Sequence, residues 1–222
     1  MTDRDEHRGR IKGGGIQTAQ CYLFELSGGE LCLDFANTLD SRPTDEPRDL
    51  LDSYEALLRW SLQAKALDDP WLARLRELAT RRQRQAMAVL GRARALREAI
   101  FEVFAASSRG LETPHRALHV LDGSLKEALR HRRLVAADAS YRWAWEDEEA
   151  LERMLWPVAV SAAELLTSDR LDRVRVCAAR DCDWLFLDQS RNRSRRWCDM
   201  TVCGNRAKVR RFRRGRGGVR PT

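Results

Sequence analysis

Between residues 50 and about 108, apolar side chains recur at intervals of three and four. Leu50, Tyr54, Leu57 and Leu58 form one set, Leu72, Leu75 and Leu78 a second, and Leu90, Leu96, Ile100, Val103 and Phe104 a third. That period places each set on one face of a helix, with residues 92–105 the clearest core-facing stretch. Asp68 or Asp69 ahead of Pro70 supplies a helix start, because proline is preorganised for the first turn and an aspartate accepts from the free amides there. A loop at 107–114 and a shorter helix through Leu121 to Arg130 follow. Tyr141, Trp143 and Trp145 share one side of an extended segment, so residues 133–145 predict two short strands around a turn near Asp138. The run EDEEALERMLWPVAVSAAELLTS predicts a helix with four acidic residues in its first turn and a kink at Pro157.

Nearer the start, Tyr22, Phe24 and Leu26 alternate with Leu23 and Glu25, and Gly28-Gly29 leads into Leu31, Leu33 and Phe35. This predicts either a short hairpin or a strand feeding a buried segment. SRPTDEPRD, with Pro43 and Pro47, predicts a loop. Residues 1–20 and 215–222 lack apolar periodicity and are expected to be disordered tails. No apolar run approaches the roughly 20 residues a bilayer requires, and the polar first residues have no signal-like apolar segment, so no membrane partner and a cytoplasmic location are expected. Of the 222 residues, 43% are hydrophobic and seven are Trp, which excludes disorder of the whole chain. The expected fold is mainly α with one or two small hairpins (α+β), forming a body at 21–168. A small C-terminal finger at 169–214 follows it.

Charge changes this picture of two parts. The chain carries a formal +7, but residues 170–222 hold 16 Lys plus Arg against 5 Asp, leaving 24 basic and 28 acidic residues in the rest. A mildly acidic body therefore precedes a strongly basic end. Residues 189–216 concentrate the effect, with eleven basic residues and one acid, Asp199. The loop SRNRSRR contributes Arg191, Arg193, Arg195 and Arg196. On a helix beginning near Cys203, Arg206, Arg210 and Arg213 or Arg214 fall on one face, flanked by Lys208 and Arg211. Such a surface, Asn205 included, is expected to bind nucleic acid, its cations acting by counterion release; a merely solvated basic face is the alternative.

Cysteine spacing falls on the same segment. Cys21 and Cys32 stand apart and read as buried small apolar residues. Cys177 and Cys182 have four residues between them, as do Cys198 and Cys203, and fifteen residues separate the pairs. Two short-spaced pairs of this kind match one structural zinc held by four thiolates. Val174 and Val176 lead into the first pair and Trp184–Leu187 leave it as strands. The second pair precedes the basic helix, an order that suits a treble-clef or zinc-ribbon-like finger whose metal replaces a core too small to form alone.

The segment from Cys177 to Arg211, with CDWLFLD, SRNRSRRWC and Cys203-Gly204-Asn205-Arg206 followed by AKVRR, resembles the CGNR zinc finger. LCLDFANT at 31–38, the RALREAIF helix and LWPVAVSAAELL at 155–166 resemble the ABATE domain that usually precedes it. The resemblance implies four zinc-binding cysteines, a finger that contacts nucleic acid, and a bacterial transcription regulator responsive to stress. Within the tetrapeptide, Gly204 permits a left-handed turn or a close approach, Asn205 caps the helix and Arg206 offers a first phosphate or base contact. Alternatively, Gly204 and Asn205 only shape the turn around the metal.

Asp34, Asn37 and Thr38, with Asp40, set polar groups beside an apolar run. They are candidates for a small-molecule pocket in the body, with turn capping the alternative. His115 and His119 are four apart but lack a third ligand. No phosphate-binding glycine loop, nucleophile elbow or HExxH motif is present, and no enzymatic activity is expected. The partners expected are nucleic acid, DNA favoured over RNA, a small-molecule effector and a second copy of the chain. Two alternatives stand beside the DNA-binding regulator. One is an RNA-binding protein in which Trp184 and Trp197 stack on bases. The other is a ligand-binding or enzymatic body carrying a purely structural finger.

Overall fold

The computed structural model describes residues 9–11, 15–17 and 22–216, with side chains from Tyr22 to Arg213. Cys21 and the last residues, 217–222, lie outside the described residues. The body is a helical layer. It comprises α1 (Leu31–Ala36), α2 (Tyr54–Gln63), α3 (Asp69–Arg81), α4 (Gln83–Ser108), α5 (His115–Arg130) and α6 (Leu155–Leu166). Ser53 caps α2 by accepting from the Ala56 amide at 3.1 Å, and Asp68 caps α3 by accepting from Trp71 at 3.1 Å, with Pro70 in the first turn as expected. The long helix α4 carries the central apolar face, in which Leu90, Leu96, Ile100 and Phe104 are buried. Trp60, Trp156 and Phe35 fill the space around it, the Phe35 and Trp60 rings lying 4.9 Å apart. No described helix is long and apolar enough to cross a membrane.

Strands occur in small antiparallel sets. β1 (Gly9–Ile11), β2 (Gly15–Gln17) and β3 (Tyr22–Phe24) form one sheet. Two of its strands fall within residues 1–20, where a disordered tail was expected; a backbone ladder forms there without apolar periodicity. β4 (Leu39–Asp40) and β5 (Arg48–Asp49) close the proline-containing loop. Buried Arg97 on α4 holds that closure, with guanidinium nitrogens 2.5 and 3.1 Å from the Asp49 carboxylate. The hairpin of β6 (Arg132–Ala137) and β7 (Ser140–Trp145) turns at Asp138, in the left-handed region.

Of the two readings of the first segment, the strand feeding a buried segment is the one found: after β3, Gly28-Gly29 leads into α1, and Leu33, Phe35 and Ala36 are buried from a single helical turn and a half. One local expectation changes. The acidic run 146–149 is not the first turn of a helix, because α6 begins only at Leu155. Pro157 therefore sits in the first turn, where its missing N–H costs nothing, and produces no mid-helix kink. The acidic run instead forms the link out of the β6–β7 hairpin, with the Glu146 carbonyl accepting from Arg153.

The C-terminal segment is built on β8 (Val174–Val176) and β9 (Leu185–Leu187), then a π-helical turn at Met200–Gly204 and helix α7 (Asn205–Arg216). Successive β9 side chains point to opposite sides. Leu185 and Leu187, with Val174, join the core of the body, whereas Phe186 joins a second small core of Cys177, Ala179, Cys182, Trp184, Cys198 and Cys203. The finger is thus docked through its hairpin rather than tethered by a linker.

Candidate metal centre and nucleic-acid interface

All four finger cysteines are buried, and their sulfurs lie within 4.8 Å of one another. Cys182 Sγ is 3.6 Å from Cys198 Sγ, which is 3.7 Å from Cys203 Sγ. A tetrahedral zinc with Zn–S of about 2.3 Å has sulfur–sulfur edges of about 3.8 Å, so the donor set fits one structural zinc in both chemistry and size. Without a cation the four thiols share their protons unevenly. Hydrogen bonds with Cys182, Cys198 and Cys203 hold the Cys177 thiol far below its ordinary range, while the same crowding pushes Cys182 and Cys198 up. Four thiols so close do not all keep their protons, and a divalent cation satisfies the resulting charge.

Local chemistry places each ligand. The amide of Cys177 donates to the Trp184 carbonyl at 2.8 Å, which closes the first knuckle at the end of β8 and β9. Asp188, wholly buried, receives the Ser190 and Arg195 amides at 2.9 Å each. Burial alone would raise its carboxyl, but these donors hold it below the usual carboxylate range. At the second pair, Asp199 accepts from Val202 at 2.9 Å and starts the turn that carries Cys203. A Cβ on Gly204 would meet the end of the Met200 side chain, 2.5 Å from Sδ, a flexible and exposed group that can move aside. Asn205 donates from Nδ2 to the Thr201 carbonyl at 3.0 Å. Asn205 thereby braces the turn that carries Cys203.

The arginines divide into two groups, which spacing alone did not separate. Arg206 donates to Cys203 Sγ at 3.2 Å and lies 3.3 Å from Asp181, and Arg210 lies 3.4 Å from the same carboxylate. Burial opposes the Arg206 charge, but the Cys203 sulfur and Asp181 hold its pKa above the ordinary value. Arg206 is therefore held between a cysteine sulfur of the cluster and the Asp181 carboxylate. Arg195 donates to the carbonyls of Trp197 and Cys198 and stacks 4.7 Å over Phe186, and Arg193 pairs with Asp172. By contrast Arg191, Lys208, Arg211 and Arg213 are exposed and have no acidic partner among the described residues. Arg196 is exposed and lies 5.4 Å over Trp197. The Arg214 side chain lies outside the described residues. Trp184 is buried in the cysteine cluster and Trp197 packs against it, so both support the metal site.

LCLDFANT does something the sequence did not suggest. Asn37, 2% exposed, donates from Nδ2 to the Leu185 carbonyl and accepts at Oδ1 from the Leu185 amide, both at 2.8 Å. The side-chain amide thereby covers the outer edge of β9 as a neighbouring strand would. Leu187 N donates to the Gly28 carbonyl at 2.8 Å on the same edge, and Gly28 N donates to Asp34 Oδ1 at 2.7 Å. Thr38 donates to the Phe35 carbonyl. The three residues proposed for a ligand pocket thus have internal roles, because polar groups beside an apolar run can serve a docking edge as well as a cavity. Asp40 is buried at the junction facing the cysteine cluster, its carboxyl lifted to about 6 by burial.

Asp34 gives this junction a measurable pH dependence. Burial lifts its carboxyl from 3.8 to about 6, against the hydrogen bond from Gly28. Between those values the folded chain keeps a proton that the unfolded chain has lost, so this group makes stability fall as pH rises. Asp34→Asn keeps the Oδ1 acceptor without the charge. Denaturation should show it about 1–3 kcal/mol more stable than wild type near pH 7.5 and nearly equal near pH 4. An equal effect at both pH values would assign the change to something other than this carboxyl.

Comparison with known proteins agrees with this architecture. The CGNR zinc finger model matches residues 173–216, and the model ABATE, described as "Putative stress-induced transcription regulator", matches residues 29–169. No curated protein matches the chain. The match covers the helical body, which is well over half of the chain, and the protein belongs to the ABATE family, with a CGNR zinc finger following that domain.

Proposed function

We propose that the protein is a DNA-binding regulator whose duplex contact is the exposed cationic rim of the finger, Arg191, Lys208, Arg211 and Arg213, rather than all the basic residues of the segment. The observation that carries this reading is the division of α7. Arg206 and Arg210 are turned to Asp181 and the metal site, while Lys208, Arg211 and Arg213 are exposed without acidic partners among the described residues. Arginine forks suit phosphate oxygens and guanine edges. The role is binding rather than turnover. The body supplies an effector site in the cavity of about 340 Å³ between α4, α5 and α6, whose walls include Arg92, His119, Glu127, Glu152 and Trp156.

Binding to duplex DNA measured across a salt series tests the rim. Each phosphate neutralised contributes about −0.9 to the slope of log K against log salt. Lys208→Ala, Arg211→Ala and Arg213→Ala together should reduce the slope by nearly three of these contributions and weaken binding to every sequence. An unchanged affinity in the triple variant would remove the rim from the interface. Stronger binding to single-stranded RNA at matched salt would transfer the same surface to an RNA target.

A further inference from the structure

We propose a second metal site, unrelated to the cysteines, at the foot of the β6–β7 hairpin. It consists of His131, Glu146 and Glu148 and takes a divalent transition-metal ion of the zinc type. One ligand atom from each of the three residues lies within 4.8 Å of the others. The imidazole is fixed twice: it stacks on Trp156 at 4.0 Å with an interplanar angle of 9°, and its Nε2 lies 3.3 Å from Glu127. A carboxylate on Nε2 favours the tautomer that leaves the Nδ1 lone pair for a metal, the arrangement in which an outer carboxylate orients a ligating histidine.

Nδ1 is buried and faces Glu148 Oε2 at 3.0 Å without hydrogen-bond geometry, a separation that one bridging ion can span. Glu146 has no ion-pair partner among the described residues, and Glu148 has only His131. The backbone of the acidic run is held separately, the Glu146 and Glu148 carbonyls facing the Arg153 guanidinium, so the carboxylates are left to converge on the imidazole. One nitrogen and two carboxylates supply two negative charges and a borderline donor set. This suits a divalent transition metal and leaves coordination positions for water. Glu127 and Trp156 also line the 340 Å³ cavity, so an ion here would sit beside the proposed effector site. The inference is independent of the finger and of what the finger binds.

Zinc titrated by calorimetry into full-length protein already carrying its finger zinc tests the site. Wild type should bind a second equivalent. Glu146→Gln with Glu148→Gln, near-isosteric changes at the hairpin's end, should weaken that binding by about tenfold or more, and Glu127→Gln by about 10–100-fold through loss of imidazole orientation. His115→Ala, at an exposed imidazole, should leave it unchanged. No uptake beyond the finger zinc in wild type, a second zinc unaffected by the double Gln variant, or its loss on removing His115 would each overturn the assignment.

Discussion

Cys198→Ser should reduce zinc from one to none per chain at the finger and unfold the segment from Cys177 to the start of α7. Cys198 Sγ lies 3.6 and 3.7 Å from two of the other ligands, and among the described residues no further His, Cys, Asp or Glu joins the cluster. Structural zinc sites of this kind are worth about 10–16 kcal/mol of apparent binding free energy. The seven buried residues of the finger's own cluster, four of them the ligands themselves, form no core that could replace that amount. Metal analysis, with tryptophan fluorescence following Trp184 out of its buried environment, reads the result. Retention of a zinc after both Cys198→Ser and Cys203→Ser, in chains whose hairpin carboxylates have been removed by Glu146→Gln and Glu148→Gln, would sink the four-thiolate assignment. The body core should survive in part, because most of its buried side chains lie on α1 to α6.

Asn37→Ala should be the most damaging single change outside the metal site and the apolar core. The side chain makes two 2.8 Å hydrogen bonds to one buried residue 148 positions away. Truncation leaves the Leu185 amide and carbonyl facing apolar surroundings. Each orphaned group costs about 1–3 kcal/mol, so a loss of about 3 kcal/mol or more in a urea titration is expected. Asn37→Asp should fare no better, since it can accept from the amide but sets a carboxylate against a carbonyl. The finger should still bind zinc in both variants, separating docking from metal binding. A loss below about 0.5 kcal/mol in Asn37→Ala would mean that water or another group satisfies the edge of β9.

Much of this was legible in the chain because it rests on local rules. The three-and-four period located α2 to α4, Asp68 with Pro70 marked the start of α3, and two cysteine pairs separated by fifteen residues identified the metal site. What was not legible depended on contacts distant in sequence. Nothing around Asn37 announces that its amide will meet Leu185, and the same residues suit a turn or a pocket equally well. The helical spacing of Arg206, Arg210 and Arg213 was right as geometry, but spacing does not tell which face looks inward. Asp181 decides that, by drawing Arg206 and Arg210 toward the knuckle. The acidic run at 146–149 misled for a related reason: acids suit a helix start, but Pro157 fits a first turn better than a helix middle, so α6 begins later.

The shared core between the β8–β9 hairpin and the body sets the geometry of any assembly. Val174, Leu185 and Leu187 fix the finger's orientation, so α7 is presented at a set angle, as the cutter on a tool is fixed by its shank. If two chains associate through their bodies, the distance between their α7 helices is a property of that interface and not of a linker's length. Two such helices would accept DNA half-sites at one spacing and reject insertions of a few base pairs between them. An effector acting on the body would then change which spacing is read, by rotating one rigid unit against another, rather than by releasing a tethered finger.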